Sequence, residues 1–315
     1  MAKLSGEQYR IQHGDQTAVI TEVGATLRSY SVGGDEIVDG FAEDEICSGG
    51  RGQVLAPWPN RLDASTAEVN GVPIHLPVDE PGRNNAIHGL VRWLRWRVLE
   101  HHAAFIELYC TLAPQPAYPF DIGLIVSYSL DDAGLTVRAR AGNKGTRPAP
   151  VGIGFHPYLR AAGESIDGAT LTLPAERHLR LDDRGLPTKD DAGRIGTPVG
   201  GTDLDFNAGR RIGDSKLDDC FAGVWAAGAP RPEVRFSDPR RPCDVVLWMQ
   251  GFDYVMVYTG DTLGDVDRRR KGIAIEPMSC APNAFAAGGG DGLKVIVTGV
   301  VDLGSWGIRL EERPA

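Results

Sequence analysis

The segment from Ile122 to Arg140 constrains the fold most, because its pattern is typical of a β-hairpin. Apolar residues occupy every second position at Leu124, Val126, Tyr128 and Leu130, and again at Leu135, Val137 and Ala139. Between the two runs, Asp131-Asp132-Ala133-Gly134 supplies residues that favour a turn. Alternation at period two predicts strands that bury one face and expose the other. A chain built from such units folds as antiparallel sheet.

Further strand signals recur along the chain. They cover Ala18 to Ile37, Trp96 to Leu112, Val245 to Thr259 and Leu293 to Leu310. We interpret Val245 to Thr259 as a second strand pair, interrupted at Gln250-Gly251-Phe252-Asp253, and the last segment as two closing strands. Helical periodicity is nearly absent, and only Ala281 to Ala287 could hold one turn of helix.

These patterns predict an all-β fold. The 40 glycines and 21 prolines fit many short strands joined by turns better than a helical chain. A large antiparallel β-sandwich with very little helix is the natural packing for this many strands. No linker or shift in composition divides the sequence, so residues 1–315 are predicted to form one domain.

Charge and composition exclude several functions. The formal net charge of −9 argues against a nucleic-acid or anionic-membrane partner, since both require a basic surface. The five cysteines show no C-x-x-C spacing, so neither a disulfide framework nor a zinc site is indicated. The first residues lack the apolar stretch of a signal peptide, and no apolar run is long enough to span a bilayer. We therefore expect a cytoplasmic protein.

Glu276 is the first candidate catalytic residue. It follows the apolar run Gly272 to Ile275 and precedes Pro277, which is expected to stop further sheet pairing. Burying a carboxylate is costly unless it has a partner or a task. Glu276 is therefore either a functional carboxylate or a strand-end residue that pairs with a surface arginine.

Two histidines are predicted to lie in similar settings at strand ends. His156 follows two glycines in Gly152 to Pro157, and His88 precedes Gly89. An imidazole changes charge near neutral pH and can move protons together with a carboxylate. The alternatives are a core histidine bonded to a backbone carbonyl for His156 and a turn histidine for His88. No histidine pair has the spacing of a metal site.

Two polar loops complete the set of candidates. Asn60 and Arg61 place an amide beside a guanidinium, whose fixed donors suit vicinal hydroxyls or a carboxylate. Asp218 and Asp219 precede an apolar pair. The alternatives are an arginine that bonds loop carbonyls and a solvated turn.

Taken together and in order, these segments are similar to the aldose 1-epimerase (mutarotase) family. The resemblance covers nearly the whole chain from about Gly24. The matching motifs are Asn60-Arg61-Leu62, Asn85-Ala86-Ile87-His88-Gly89, Gly154-Phe155-His156-Pro157-Tyr158, Leu217-Asp218-Asp219, Val257-Tyr258-Thr259-Gly260 and Ile273-Ala274-Ile275-Glu276-Pro277.

The resemblance implies a fold, an activity and a set of site residues. The fold would be a large β-sandwich with an open concave face. Glu276 would be the general base and His156 the general acid of sugar ring opening. The sugar hydroxyls would be bound by Asn60, Arg61, His88, Tyr158 and Asp218. A small sugar would be the only partner, with no cofactor and no metal, and the protein would be a monomer or a homodimer.

The site residues do not identify the substrate. Met256 stands where galactose-active members often carry a glutamine, so galactose is not implied as the substrate. A hexose-6-phosphate 1-epimerase on the same fold is one alternative. The candidate phosphate-binding residues are Arg51, Arg83, Arg92 and Arg95. Another is a non-catalytic carbohydrate-binding sandwich whose stacking platform would be Trp58, Trp93 or Trp96.

Overall fold

The computed structural model describes residues 3–64, 68–69, 72–189, 196–225, 230–285 and 292–313. About half of the chain is strand (48%) and only 3% is helix, which confirms the all-β prediction. The helical residues within these ranges form three 3₁₀ turns, Pro81–Arg83, Ile166–Gly168 and Val266–Arg268. The described part contains no helix long and apolar enough to cross a bilayer.

In chain order the strands are β1 (Gln8–His13), β2 (Gln16–Thr21), β3 (Leu27–Val32), β4 (Asp35–Glu36), β5 (Val54–Leu55), β6 (Arg61–Asp63), β7 (Glu68–Val69), β8 (Val72–Pro73), β9 (Asn85–Ile87), β10 (Arg97–His102), β11 (Phe105–Leu112), β12 (Ile122–Asp131), β13 (Gly134–Asn143), β14 (Ala149–Val151), β15 (Gly154–Phe155), β16 (Tyr158–Arg160), β17 (Thr170–Thr172), β18 (Arg177–Leu179), β19 (Thr197–Pro198), β20 (Arg210–Arg211), β21 (Asp218–Ala222), β22 (Glu233–Ser237), β23 (Cys243–Gln250), β24 (Tyr254–Tyr258), β25 (Gly272–Met278), β26 (Lys294–Ile296) and β27 (Gly299–Glu312).

Two large sheets dominate the fold. The first has nine strands in the order β10-β11-β12-β13-β27-β23-β22-β17-β20. Its centre includes the predicted hairpin, in which Asp131 pairs with Gly134 and Ile122 with Asn143. The second has the order β19-β18-β21-β24-β25-β15-β5, with β16 also paired to β25. The pairings within both sheets are antiparallel.

The two sheets pack face to face around one core. Side chains from both sheets belong to a single cluster of buried apolar residues. Phe155 of the second sheet, for example, contacts Trp306 of the first, with ring centroids 5.5 Å apart. The opposite face of the second sheet is therefore free to carry a site. This arrangement is the β-sandwich that the alternation predicts.

One strand pairing was predicted wrongly. The segment Val245 to Thr259 does contain two strands, β23 and β24, but they do not pair with each other. β23 joins β22 and β27 in the first sheet, whereas β24 joins β21 and β25 in the second. The interruption at 250–253 is a crossover between the layers of the sandwich, because each strand completes a different sheet.

Two local predictions also need correction. Strand β25 does not stop before Pro277: it continues to Met278, which pairs with both Tyr254 and Gly154. Proline removes only one ladder donor, and neighbours on both sides hold the strand in place. The expected helical turn at 281–287 is a hydrogen-bonded turn at 282–285, while residues 286 and 287 lie outside the described part.

Candidate active site

Glu276 lies in strand β25, near the centre of the second sheet. Its strand neighbour Ile275 packs into the core, so the alternation directs Glu276 to the opposite face. Only 2% of Glu276 is exposed. Within the described residues, its Oε2 atom has no hydrogen-bond partner. A buried carboxylate with an unpaired oxygen is unusual enough to indicate a function.

His156 meets Glu276 on this face. It lies in the connection between β15 and β16, and its Nε2 atom is 3.3 Å from Oε1 of Glu276. Gly50 leaves room for the imidazole, because a Cβ added at this position would lie 2.5 Å from Cδ2 of His156. The φ of Gly50 is +75°, a backbone conformation that also favours glycine. The two residues, far apart in the sequence, thus share one site.

An aromatic stack fixes the imidazole of His156. The ring of Tyr158 lies parallel to it, with centroids 5.1 Å apart and an interplanar angle of 10°. The guanidinium of Arg51 lies 4.7 Å from the centroid of the Tyr158 ring. Arg51 is held by Asp39 at 3.1 Å, and the Tyr158 hydroxyl donates to the Gly49 carbonyl at 3.0 Å. Tyr158 therefore orients His156.

His88 and Asn60 form a strained backbone clasp beside this pair. Both residues have left-handed backbones, with φ of 62° and 53°. The backbone N–H of His88 donates to the backbone carbonyl of Asn60 at 2.9 Å, and the backbone N–H of Asn60 donates to Nδ1 of His88 at 3.2 Å. Each such conformation costs on the order of 1–3 kcal/mol and persists only where its surroundings enforce it. The rings of His88 and His156 lie 5.2 Å apart.

Arg61 borders the same site from strand β6. Its Nε donates to both carboxylate oxygens of Glu80, at 3.0 and 3.2 Å, and its Nη2 donates to Asp218 at 3.4 Å. Its Nη1 is buried and has no partner among the described residues. Asp218 is the more exposed partner and faces solvent at the rim.

These side chains line one open cleft of about 660 Å³, a volume suited to a small molecule. The cleft residues are Ser48, Gly49, Gly50, Arg51, Asn60, Arg61, Glu80, Gly82, Arg83, Ile87, His88, Arg92, His156, Tyr158, Asp218, Tyr258, Thr262, Leu263, Gly264, Asp265 and Glu276. The seven site residues that the resemblance implies all lie in this set, whereas Asp219, named beside Asp218, does not.

Burial controls the protonation of the central pair. It raises the pKa of Glu276 well above the usual value, an effect that Asp218 strengthens and Arg61 opposes. Burial also lowers the pKa of His156 to about 3, and the charges of Arg51 and Arg92 act in the same direction. Attraction between a carboxylate and an imidazolium would favour the two ions, but desolvation disfavours both charges. The neutral pair, with the shared proton on Glu276, is the favoured form.

Glu276, His156 and His88 could in principle hold a metal, since one donor atom from each lies within 4.8 Å of the others. The clasp argues against this role. Nδ1 of His88 accepts a hydrogen bond, so the neutral ring carries its proton on Nε2 and presents a donor to the cleft. A ligating histidine instead donates from its second nitrogen. Burial also lowers the pKa of His88, which keeps the ring neutral.

Sequence reasoning missed several features of the site. Glu80, which orients Arg61, belongs to no motif, and Arg51 was considered only as a phosphate ligand. The left-handed backbones of Asn60 and His88 leave no signal in a single sequence beyond the neighbouring Gly89.

The structure also removes some candidates. Trp58 and Trp96 are buried in the core, so neither can serve as a stacking platform. Trp93 is 55% exposed but lines a different cavity. Arg95 lines that second cavity as well, paired with Glu22 at 2.5 Å, and does not reach the cleft.

Comparison with known proteins points to one family. A profile of the aldose 1-epimerase family matches residues 7–295. The uncharacterized protein YihR of Escherichia coli strain K12 is 34% identical over 288 residues, which cover 90% of this chain and 87% of that protein. Galactose mutarotase of Rattus norvegicus is 26% identical over 224 residues, or 66% of this chain and 62% of that protein.

Solved structures share the architecture. The GalM/aldose epimerase homologue from C. elegans superimposes with a TM-score of 0.84 at 18% identity, covering 98% of this chain and 99% of that one. Galactose 1-epimerase from Lactobacillus acidophilus NCFM gives a TM-score of 0.79 at 19% identity, covering 100% of this chain and 97% of that one. At these identities the likeness concerns the fold.

Proposed function

Because the chain belongs to the aldose 1-epimerase family, we propose that it interconverts the α and β anomers of an aldose by opening and closing the sugar ring. One observation carries this proposal: a buried carboxylate and a buried imidazole, 3.3 Å apart, lie in a cleft large enough for a monosaccharide. Proton transfer at two oxygens of one ring needs such a pair.

In the proposed reaction, the proton shared by the pair first passes from Glu276 to His156. Glu276 then takes the proton of the C1 hydroxyl while His156 gives a proton to the ring oxygen. The bond between C1 and the ring oxygen breaks, and C1 becomes an aldehyde. Rotation about the C1–C2 bond exposes the other face of the carbonyl. On closure the protonated Glu276 returns its proton to the aldehyde oxygen and His156 takes the proton of the attacking hydroxyl.

The electrostatics suit this cycle. A carboxylate with a raised pKa accepts a proton more readily, and an imidazolium with a lowered pKa gives one up more readily. Both protein groups become neutral when the ring opens, and the neutral pair is the form that burial favours. The loss of both charges would therefore favour ring opening once the ion pair has formed.

The other cleft residues would hold the sugar. The unpaired Nη1 of Arg61 and Nε2–H of His88 are donors for hydroxyl oxygens, and Asp218 is an acceptor for hydroxyl protons. Asn60 would act mainly through its clasp with His88, and Tyr158 mainly by orienting His156.

The test is to dissolve one pure anomer and follow optical rotation with and without protein. We expect the protein to accelerate the approach to equilibrium for at least one aldose, tested with glucose, galactose and a 6-deoxyhexose. Glu276→Gln keeps the shape of the side chain but loses its basicity, so it should remove nearly all of the acceleration. Exposed Glu312, changed to Gln, is the matched control. Normal turnover by the Glu276→Gln protein would rule out this base.

A sugar with an anionic substituent, such as a hexose 6-phosphate, is the second candidate. Four arginines line the cleft, and Arg51 and Arg61 each keep a buried N–H group without a partner among the described residues. Each of the four also has a carboxylate neighbour, as Arg92 has Asp79 at 3.0 Å, so a phosphate would compete with existing ion pairs. Comparing kcat/KM on glucose and glucose 6-phosphate, with Arg83→Ala as a probe, separates the two candidates.

A further inference from the structure

One side of Glu276 is closed by a methionine. Met256 of β24 is the direct cross-strand partner of Glu276, so the two side chains stand next to each other on the same face of the sheet. His156 occupies the other side of the carboxylate. Met256 is 1% exposed and does not line the cleft. It therefore adjoins the proposed base and not the proposed sugar site.

Met256 belongs to a small apolar cluster that is separate from the main core. Its members are Leu179, Cys220, Met256, Met278 and Ala281. A thioether has no hydrogen to donate, and a thiol is a weak donor. Burial raises the pKa of Cys220, so its thiol stays neutral. On this side of Glu276 the cluster provides contact but no strong hydrogen bond, consistent with the unpaired Oε2 atom.

We propose that Met256 is a positioning residue that keeps Glu276 strongly basic, by filling the space beside the carboxylate with a group that cannot donate a hydrogen bond. A donor at this position would stabilise the ionised carboxylate and weaken it as a base. The inference rests on the proposed function, because it assigns Met256 an effect on proton transfer. Galactose-active members of the family often carry glutamine at the position of Met256. On this proposal, methionine at this position changes the basicity of Glu276 without contacting the sugar.

Other ionisable groups also face Glu276. They are His156 and Tyr158 around β16, His88 after β9, Arg61 on β6, Asp218 and Cys220 on β21, and Tyr258 on β24. All of them remain in place when only position 256 is changed. A difference between variants at this position therefore reports on the neighbour of the carboxylate and not on the surrounding charges.

The experiment compares Met256→Gln with Met256→Leu. Glutamine has a similar length and brings an N–H donor toward Oε2, whereas leucine preserves the apolar contact. We expect the acid limb of the pH profile of kcat/KM to move down by about 1 to 2 pH units in Met256→Gln, the effect of one hydrogen bond to a charged group. The rate on the plateau should also fall. In Met256→Leu the acid limb should stay where it is in the parent protein.

A second readout does not depend on turnover. The carbonyl stretch of a protonated carboxyl group can be followed by difference infrared spectroscopy during a pH titration, and Glu276→Gln identifies which band belongs to Glu276. The band should titrate at lower pH in Met256→Gln than in the parent. If Met256→Gln unfolds, Met256→Thr supplies a donor in a side chain that suits a strand.

The outcomes distinguish a failure of the proposed function from a failure of the proposed role of Met256. If no aldose is interconverted by the parent protein, the proposed function fails, while the infrared titration still tests the effect of Met256 on Glu276. If turnover is normal but the Glu276 band titrates at the same pH in the donor variant, the role of Met256 is wrong. An equal shift in Met256→Leu would also overturn it, because that change adds no donor.

Discussion

At the scale of single residues, burial has two effects on the central pair. It makes the ions of Glu276 and His156 costly to form, and it makes each ion more reactive once formed. The stack of Tyr158 on the imidazole and the clasp between His88 and Asn60 hold this costly arrangement in position. Proposed activity and reduced stability therefore have a common cause.

Replacement of His156 by asparagine should slow the proposed reaction. Asparagine can still donate a hydrogen bond but cannot transfer a proton at neutral pH, so we expect kcat to fall by about 10²- to 10⁴-fold. Polarimetry on a pure anomer provides the measurement, with exposed His102→Asn as the control. A loss confined to KM would mean that His156 only binds the sugar.

The lowered pKa of His156 also predicts how stability depends on pH. Below about pH 6.5 the unfolded chain takes up a proton that the folded protein excludes until about pH 3, so the free energy of unfolding should fall on acidification through this range. For one such group the loss between pH 7 and pH 5 is about 1–2 kcal/mol. Urea unfolding at both values should show a smaller loss for His156→Asn than for the parent. An identical loss in both proteins would contradict the buried neutral imidazole.

At the scale of elements, short strands and their connections bring the site together. Strand β25 supplies Glu276, the link between β15 and β16 supplies His156, and the β6–β9 hairpin supplies Arg61 and His88. Arg61 also ties β6 to β21 through Asp218. The geometry of the site therefore depends on these connections between strands as well as on its side chains.

Loss of the Arg61 guanidinium should weaken sugar binding more than proton transfer. Arg61 bonds to Glu80 and Asp218 and not to the Glu276–His156 pair, and it offers donors to hydroxyls. Arg61→Ala should therefore raise KM by about tenfold or more, the equivalent of one hydrogen bond to a charged group. The value of kcat should change much less. Steady-state kinetics of Arg61→Ala beside the rim variant Arg83→Ala measures the difference. An unchanged KM would remove Arg61 from the binding site.

The turn after His88 should tolerate no side chain at Gly89. Its φ is +70°, and an added Cβ would lie 2.1 Å from the carbonyl oxygen of Ala56. Gly89→Ala should lower stability by about 2 kcal/mol or more and disturb His88. Gly168→Ala, where an added Cβ meets nothing within 4 Å, is the control. Thermal unfolding compares the two, and equal melting temperatures would show that the turn can shift freely.

Local pattern was enough to predict most strands but not how they associate. The alternation at 122–140 specifies a hairpin because the turn and both strands are contiguous. β23 and β24 are also contiguous, yet they enter different sheets, because pairing there depends on distant partners. The motifs identified the cleft residues, whereas Glu80 and the apolar neighbours of Glu276 became visible only in three dimensions.

At the scale of the whole molecule, one core joins both sheets, and the prediction of a single domain can be tested through cooperativity. Side chains of β12, β13, β24 and β25 belong to the same buried cluster, so the two sheets share their main interior. Calorimetry should give one unfolding transition whose van't Hoff enthalpy equals the calorimetric enthalpy. Two resolved transitions would divide the chain into independently folding parts.

Strand β27 lies between β13 and β23 and is the only link between the two halves of the nine-stranded sheet within its described order. During synthesis on a ribosome, β10–β13 emerge long before β27. Strands β22–β23 also emerge before β27, so neither β13 nor β23 has this partner at first. Each half then exposes an unpaired edge that can recruit a neighbouring nascent chain. Residues 299–312 thus complete the sheet last, and the edges of β13 and β23 stay open to such contacts until these residues have left the exit tunnel.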